Sequence, residues 1–469
     1  MADEARPTVL DVERQLKYWK MCLRSPLPEV YQSNEANRLA LAYFIINSIT
    51  ILTPPTADRH TLEPIISPAE RKQLRQWVLS HQHPGGGFSG STSLVFPLAT
   101  YDEWDFEAGS RALEHSGLAN IAATVFALQL LALLADDGNP GVAFRGVDRV
   151  RTLRWLRRLQ RDDGSFGEVL RYLPTRGWFI AGGYDMRYCY VATLIRWMLR
   201  GNVKEGEPGW VEDFDTERLA QYILRSQTYD GGFAGRASVE PHAGYAYCAI
   251  SALSLLDRPI ENSISSHPSN ILHTGIRDKS TLTHWLASRQ FVYLQPSSGD
   301  SDVDEEDEVN FTLPNSLADL SLDDNLRYVG FNGRCNKVAD TCYCWWVGAA
   351  LYTLDEAELI SWEPSRRFLL EKMQHRIGGF GKHPGSPPDL YHACFGLAIL
   401  AVMGEKGLQP LDSSLAVPIE TVRTIEAARR QLLDAEKEDS KTNVLARSAL
   451  QMGLNLAGKK PAWLTDVSV

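Results

Sequence analysis

The chain has 469 residues, of which 44% are hydrophobic, enough for a sizeable core in one large domain or a few ordinary ones. Its formal net charge is −10, but the run 300–308 alone holds seven acidic residues, so the remainder is near −3. This composition excludes a basic face for nucleic acid, and we expect no nucleic-acid partner.

The amino terminus and the cysteines indicate a cytoplasmic protein. The first twenty residues, MADEARPTVLDVERQLKYWK, are polar and charged and lack the regions of a signal peptide. The seven cysteines are odd in number and lie mostly in or beside apolar helical runs, which argues against a disulfide framework. The apolar run 117–135 is nearly long enough to span a bilayer, but it contains Asn120, Thr124 and Gln129 and lacks flanking anchors. We therefore expect a buried helix there and no transmembrane segment.

The first elements are predicted to be helices. Residues 12–52 are typical of two helices, the second being the apolar run NRLALAYFIINSITIL. The sequence from Ser67 to Glu70 is a capping box, which predicts a helix over Pro68–Leu79.

A repeat then predicts the fold. An amphipathic helix ends in Gln, a glycine-rich turn with an aromatic residue follows, and an apolar helix comes next. The five copies are Gln82-HPGGGFSG, Gln160-RDDGSFG, Gln227-TYDGGFAGR, a degenerate GFNGR at 330–334, and Gln374-HRIGGFGK. Glycine permits the sharp reversals, and each aromatic is expected to fill a helix junction; these aromatics are Phe88, Phe166, Phe233, Phe331 and Phe380.

The alternation of helix types predicts two concentric layers, so the fold class is all-α and the architecture an α/α toroid. Amphipathic helices such as Val147–Leu159 would form the outside. The apolar inner helices would be Tyr188–Leu199, Tyr245–Leu256, Tyr343–Leu354 and His392–Met403. This fold alone does not define function, because it also serves triterpene cyclases, glycosidases and complement domains.

Aromatic residues gather where the inner helices begin, namely Tyr188, Tyr190, Tyr245, Tyr247, Tyr343, Trp345 and Trp346. One end of the toroid should therefore carry an aromatic-lined funnel, which suits a long apolar chain with an anionic head.

We expect the toroid to occupy residues 1–405. An acidic, low-complexity insertion at about 294–326 should interrupt it as a disordered loop. Residues 406–469 should form a C-terminal extension with a charged helix at about 418–438 and a polar tail.

The most informative stretch is GFNGRCNKVADTCYCWW at 330–346. Arg334 and Lys337 are three residues apart, so a turn would present both cations to a phosphate or carboxylate. Asp340 and Cys342 point the same way in extended backbone, and together they are two of the three protein ligands of a catalytic zinc site. The third should be a distant histidine, and the candidate is His392 in PDLYHACFGLAIL. The alternative interpretation of Cys342 is a buried structural cysteine.

This stretch resembles the pattern GRxNKxxDxCYxxW of the β subunits of the protein prenyltransferases, and the resemblance extends over about residues 15–405. It implies that Asp340, Cys342 and His392 bind zinc. It implies a diphosphate site made of Arg334, Lys337, Tyr343 and His242, with Lys337 and Tyr343 also taking part in the reaction. It further implies an isoprenoid wall of Tyr190, Tyr245, Cys248 and Trp346, and a contact of Arg187 with the carboxyl-terminal peptide of a protein substrate.

Within that family, three positions favour the type I geranylgeranyltransferases over the farnesyltransferases. Ala40 and Phe395 stand where farnesyltransferases carry Trp and Tyr, which leaves room at the far end of the funnel for a longer lipid. Lys382 stands where farnesyltransferases carry an Asp that recruits magnesium. The resemblance therefore implies a zinc enzyme that does not require Mg²⁺.

The implied partners are a helical-repeat α subunit, geranylgeranyl diphosphate, and small GTPases of the Rho and Rap type that end in a CaaX motif with X often Leu. Three alternatives remain. One is a farnesyltransferase β subunit. Another is a terpene cyclase, whose Asp-rich motif could only be the run 302–307 inside the insertion. The last is an inactive zinc-containing scaffold, which would not need cations at the rim of the funnel.

Overall fold

The computed structural model describes residues 9–53, 65–95, 118–135, 138–173, 175–260, 270–293 and 327–457, with side chains to 438. The predicted acidic insertion, including 302–307, lies outside these ranges. Among the described helices, none combines the length and apolar character that crossing a membrane requires.

The helices of this part of the chain are α1 (Val12–Arg24), α2 (Arg38–Leu52), α3 (Pro68–Leu79), α4 (Ile121–Leu133), α5 (Arg149–Arg158), α6 (Met186–Leu199), α7 (Thr216–Ser226), α8 (Ala243–Asp257), α9 (Ile271–Thr274), α10 (Lys279–Ala287), α11 (Thr341–Thr353), α12 (Trp362–Arg367), α13 (Leu390–Val402) and α14 (Ile419–Ala457). A π-helical segment, Phe368–Met373, continues α12. The strands form two antiparallel pairs, β1 (Val169–Leu173) with β2 (Gly177–Ala181) and β3 (Gln290–Val292) with β4 (Val329–Phe331).

The apolar helices close into a ring. α2 packs against α4, and the ring continues through α6, α8, α11 and α13 back to α2. The amphipathic helices α1, α3, α5, α7 and α10 each pack outside a member of this ring, and α12 lies next to β4. The predicted α/α toroid is therefore confirmed.

The repeated glutamine ties each turn to the next outer helix. The Gln82 side chain accepts a hydrogen bond from the backbone of Asp148, the N-cap of α5, at 2.8 Å. The same contact recurs from Gln160 to the α7 cap, from Gln227 to the α10 cap, from Gln290 to the α12 cap and from Gln374 to the α1 cap. The last contact joins the final turn to the first helix, so the glutamines close the outer ring as well.

Gln290 completes the fourth, degenerate copy of the repeat. It pairs with Phe331 across β3 and β4, just as Gln82 pairs with Phe88 in the first copy. The predicted insertion therefore falls inside the fourth turn, between its glutamine and its phenylalanine.

The turns need glycine because they press against the next outer helix. A Cβ on Gly86 would lie 2.3 Å from the Arg151 carbonyl oxygen, and one on Gly164 would lie 2.1 Å from that of Arg218. Both glycines have positive φ as well. The repeat phenylalanines are all fully buried, as predicted (Phe88, Phe166, Phe233, Phe331 and Phe380).

Four of the inner helices begin two residues earlier than predicted, each directly after a polar N-cap. The caps are Asp185 for α6, His242 for α8, Asp340 for α11 and Asp389 for α13, and each side chain accepts a backbone N–H of its own first turn. The chain enters every one of these helices from a glycine turn, so the caps lie at one end of the toroid.

The segment after α13 closes the opposite end. Tyr43 and Asn47 of α2 donate to the Ala416 carbonyl, and Gln129 of α4 donates to that of Leu415. Tyr190 of α6 and Tyr247 of α8 donate to the carbonyls of Ser414 and Ser413, while Thr353 of α11 shares a hydrogen bond with the Ser413 hydroxyl. We call residues 412–417 the floor segment.

The last helix is fastened to the toroid by buried arginines. Arg149, with a side chain 1% exposed, pairs with Glu436 of α14 at 2.7 Å. Arg429 of α14 donates to the Trp197 carbonyl at the end of α6. The domain boundary at 405 stays a prediction, but the residues that follow it as far as 438 pack on the toroid.

Candidate metal centre and anion site

Asp340 and Cys342 are brought together by the start of α11. Asp340 has extended backbone (φ −144°, ψ 139°), as predicted, and its Oδ1 accepts the backbone N–H of Cys342 at 2.8 Å. Both residues are 5% exposed. The carboxylate and the thiol therefore face one buried point beside the N-terminus of this helix.

His392 arrives from the neighbouring inner helix. It is the third residue of α13, which packs against α11, and its Nε2 lies 3.1 Å from Asp340 Oδ1. One donor atom from each of Asp340, Cys342 and His392 lies within 4.8 Å of the others. Ligands of a tetrahedral zinc ion are about 3.3–3.8 Å apart, so small side-chain adjustments would let the three share one ion.

Asp389 orients the histidine. Its Oδ2 accepts a hydrogen bond from His392 Nδ1 at 2.6 Å, and its Oδ1 accepts the backbone N–H groups of Tyr391 and His392, both at 2.9 Å. With the proton held on Nδ1, Nε2 is left to act as a ligand, the usual arrangement around metal-binding histidines. Asp389 was not among the predicted site residues, although a helix-capping Asp three residues before the candidate His was a visible signal.

The electrostatics favour a cation at this point. Burial and the nearby Asp340 carboxylate raise the pKa of the Cys342 thiol well above its usual value. Burial alone would raise the pKa of Asp340 and lower that of His392. Hydrogen bonding between these two groups outweighs it: the pKa of Asp340 is lowered, and with help from Asp389 the pKa of His392 is raised to about 9. The protons on Cys342 and His392 thus offset the negative charge of this buried cluster. A divalent ion bound here would displace these protons. The residues present therefore fit a zinc ion.

A second set of polar groups lies beside the first. His242 Nε2 is 3.1 Å from the Tyr343 hydroxyl, and His242 Nδ1 accepts the Gly244 backbone N–H at 3.0 Å. Burial and the Arg334 charge lower the pKa of His242 to about 4, so the ring is neutral at pH 7. Because Nδ1 accepts, the proton sits on Nε2 and points to Tyr343, whose own hydroxyl proton is left for a further acceptor.

The loop that carries the cations is docked on this pair. The Gly333 carbonyl accepts the Ala243 backbone N–H at 2.9 Å, and a Cβ on Gly333 would meet the Tyr343 ring at 2.2 Å. The Lys382 carbonyl accepts the Thr341 backbone N–H at 3.2 Å, which places Lys382 next to the start of α11. Helix N-termini and cations together favour an anion at this end.

The predicted cations differ in their partners. Lys337 and Lys382 are exposed, whereas Arg334 pairs with Glu240 at 2.9 Å. Arg187 is likewise engaged by Asp185, with its Nη2 2.6 Å from Asp185 Oδ2. Arg334 and Arg187 must exchange these carboxylates for any anion that they bind.

Below these groups, every inner helix contributes to a continuous belt of aromatic rings. Neighbouring ring centroids are 4.7–6.0 Å apart in the order Tyr190, Tyr247, Trp346, Phe395, Phe44 and Phe126. Trp346 and Phe126 are partly exposed although they lie on inner helices, so they face the space inside the ring. Phe44 and Phe126 were not among the predicted wall residues; both are aromatic residues of apolar helices, which was their only signal.

The remaining predicted wall residues lie at different depths. Tyr245 is partly exposed beside His242, with ring centroids 5.4 Å apart, whereas Cys248 is buried. Ala40 lies in the first turn of α2, one turn before the belt residue Phe44. The floor segment, which Tyr43 and Asn47 contact, forms the closed end. The place of Ala40 at the far end of the funnel stays a prediction.

Comparison with known proteins agrees with the toroid fold described above. Residues 10–417 match the model of the prenyltransferase alpha-alpha toroid domain, a range that includes the floor segment. The chain is 32% identical to the geranylgeranyl transferase type-1 subunit beta of Arabidopsis thaliana, covering 87% of this chain and 88% of that protein. It is 26% identical to the same subunit of Dictyostelium discoideum, covering 84% and 90%.

Among solved structures, the fold is similar to Candida albicans protein geranylgeranyltransferase-I complexed with GGPP. The TM-score is 0.66, and the match covers 90% of this chain and 99% of that one. At 24% sequence identity this likeness shows the shared fold alone.

Proposed function

This chain belongs to the prenyltransferase family of α/α toroids, among the type-1 geranylgeranyl transferase β subunits, and from that membership we propose a zinc-dependent reaction at the site described above. In it, the geranylgeranyl group passes from its diphosphate to the cysteine thiol of a C-terminal CaaX motif, X often being Leu, on small GTPases of the Rho and Rap type. The proposed partner is an α subunit, and the proposed location is the cytoplasm, in keeping with seven free cysteines.

The observation that carries the proposal is the adjacency of three features at one end of the toroid. They are the buried Asp340, Cys342 and His392 cluster, the His242 and Tyr343 pair at the same end of α11, and the aromatic belt beneath them. A metal ligand set beside anion-binding groups and an apolar channel suits a reaction between a thiol and a lipid diphosphate.

Zinc bound by Asp340, Cys342 and His392 would hold the substrate sulfur as a thiolate at neutral pH. The chain's own residues do the remaining work. Asp389 keeps the His392 proton on Nδ1. The Tyr343 hydroxyl and His242 Nε2–H, with Arg334 and Lys337, stabilise the charge that develops on the leaving diphosphate.

The aromatic belt receives the isoprenoid and excludes water from it. Tyr190 and Tyr247 donate to the Ser414 and Ser413 carbonyls of the floor segment, so these two carbonyls are already hydrogen-bonded where the channel closes. We propose that Tyr245, Cys248, Trp346 and Phe395 line the lipid, and that Arg187 contacts the peptide.

The test is metal analysis combined with prenyl transfer to a peptide ending in Cys, two aliphatic residues and Leu. Cys342→Ala should lose zinc and transfer while still binding geranylgeranyl diphosphate. The matched control is Cys344→Ala, two residues along the same helix and also buried, which should keep zinc. Normal turnover by the Cys342 variant would remove the zinc mechanism.

A second experiment addresses the partner. The chain coexpressed with its α subunit should transfer the lipid, and the chain alone should not. Full activity of a purified monomer would contradict the proposed heterodimer without affecting the zinc assignment.

A further inference from the structure

Cys335 is the exposed thiol of this protein. All seven cysteines lie in the described residues; five are buried, Cys22 is half-buried, and Cys335 alone is exposed. It stands next to Arg334 and two residues before Lys337, in the loop that carries the proposed diphosphate-binding cations. The proposed reaction makes no use of its sulfur.

A buried arginine is aimed at this sulfur. Arg289, which is 6% exposed, places both Nη1 and Nη2 at 3.3 Å from Cys335 Sγ. Its other described hydrogen bonds go to the Trp285 carbonyl and the Ser288 hydroxyl, so none of them reaches a carboxylate. A buried guanidinium needs a compensating anion, and here the group facing it is a sulfur that can become a thiolate.

The same arginine anchors the cation loop. The Arg289 carbonyl accepts the Asn332 backbone N–H at 3.0 Å, and the Asn332 side chain donates to the Lys337 carbonyl at 3.0 Å. Between them, Asn336 has a φ of +59°, in the left-handed region that Asn enters more readily than most residues other than glycine. Residues 332–337 therefore form a closed loop whose position depends on Arg289, with Cys335 as its side-chain contact.

We propose that Cys335 is a modification site that forms a mixed disulfide with an anionic low-molecular-weight thiol such as glutathione, and that the adduct weakens lipid diphosphate binding. The second half of this inference rests on the proposed function, because it requires the loop to bind diphosphate. The first half concerns the thiol alone.

The chemistry is thiol–disulfide exchange. The Cys335 thiolate attacks one sulfur of glutathione disulfide, a protein–glutathione S–S bond forms, and the original S–S bond breaks. The departing glutathione thiolate takes the electron pair and then a proton. Cys335 is oxidised and one glutathione sulfur is reduced, so glutathione disulfide is the only oxidant needed. The thiolate is the attacking form, and the Arg289 guanidinium lies 3.3 Å from this sulfur.

The adduct acts on binding in two ways. A sulfur in a disulfide no longer offers Arg289 an anionic partner, so the loop loses its side-chain contact. The glutathionyl group also brings carboxylates next to Arg334 and Lys337, where they compete with a diphosphate for the same cations.

In the experiment, glutathione disulfide is added to the full chain, which is used together with its α subunit where one copurifies. Peptide mass mapping should find the adduct on Cys335 and not on Cys22. Arg289→Met should slow the modification by about three- to tenfold, because the positive charge that faces the attacking sulfur is removed. Cys22→Ser is the matched control and should be modified like the wild type.

The functional arm measures the affinity for geranylgeranyl diphosphate before and after modification. Modified wild type should bind more weakly and recover with dithiothreitol, whereas Cys335→Ser should be insensitive to glutathione disulfide. A Cys335 that stays reduced, or an adduct that leaves lipid affinity unchanged, would overturn the inference. If no form of the chain transfers lipid, the proposed function fails, while the mass mapping still decides whether Cys335 is modified.

Discussion

Replacing Asp389 with Asn tests the metal centre through a residue that is not itself a proposed ligand. Asp389 uses Oδ1 to cap α13 and Oδ2 to hold His392 Nδ1–H at 2.6 Å. Asparagine has a single oxygen. If that oxygen keeps the cap, its NH₂ group faces Nδ1 and favours a proton on Nε2, the atom that must bind the metal.

The expected loss of zinc affinity or of folding stability depends on which group the asparagine oxygen contacts. Loss of a partner that orients a ligating histidine weakens metal affinity by about 10–100-fold. At about 1.4 kcal/mol for each factor of ten, this corresponds to about 1.4–2.8 kcal/mol of binding free energy. If the asparagine instead turns its oxygen to His392, the metal is kept but the helix cap is lost, at about 1 kcal/mol of folding stability.

The assay is zinc affinity by competition with a chromogenic chelator, measured together with denaturant unfolding. Asp215→Asn is the matched control, because Asp215 caps α7 through the Arg218 backbone N–H and contacts no proposed ligand. The control should keep wild-type zinc affinity. If Asp389→Asn also keeps wild-type zinc affinity and loses no stability, the role of Asp389 as the positioning residue of His392 is wrong.

Three further predictions concern other parts of the molecule. Lys382→Asp should create a magnesium requirement for transfer, because a carboxylate replaces the ammonium beside the anion site. The prediction is wrong if a chelator that spares zinc already inactivates the wild-type enzyme. Ala40→Trp should shift the lipid preference from geranylgeranyl towards farnesyl diphosphate in a competition assay. Burial of a fourth isoprene unit is worth on the order of 3–4 kcal/mol, and an indole would obstruct that burial. An unchanged lipid preference would show that Ala40 does not line the lipid channel. Gln227→Ala should lower the free energy of unfolding by about 1–3 kcal/mol, because Gln227 is 4% exposed and loss of its side chain removes hydrogen bonds to partly buried backbone groups of the α10 cap. Gln82→Ala, at a more exposed copy of the same clamp, should cost less, and equal losses in denaturant titrations would contradict the argument.

Local patterns predicted the architecture because each repeat contains the residues that form its own turn. Gln82 and Phe88 pair across their turn, and Gln160 with Phe166 repeats the arrangement, so the period seen in the sequence is the period of the ring. Apolar composition all round a helix, as in α4, can only be satisfied by burial on every side. These signals need no knowledge of distant residues.

Two of the three residues of the candidate metal centre could be predicted locally in the same sense. Asp340 and Cys342 are two residues apart in extended backbone at a helix start, and that geometry follows from the chain itself. His392 was a candidate from its place at the beginning of another apolar helix. That its Nε2 lies 3.1 Å from Asp340 was decided by the packing of α11 against α13.

Tertiary structure alone decided the contacts between segments that are far apart in the chain. The Tyr43 hydroxyl meets the Ala416 carbonyl across 373 residues, so nothing near Tyr43 indicates that the C-terminal segment closes the channel. Arg334 pairs with Glu240 across 94 residues, and Arg289 meets Cys335 across 46. Sequence patterns specify which face of a helix is buried. The partner of a single polar side chain depends instead on the closure of the whole ring. Segments that are far apart in the chain come together only when every helix has packed.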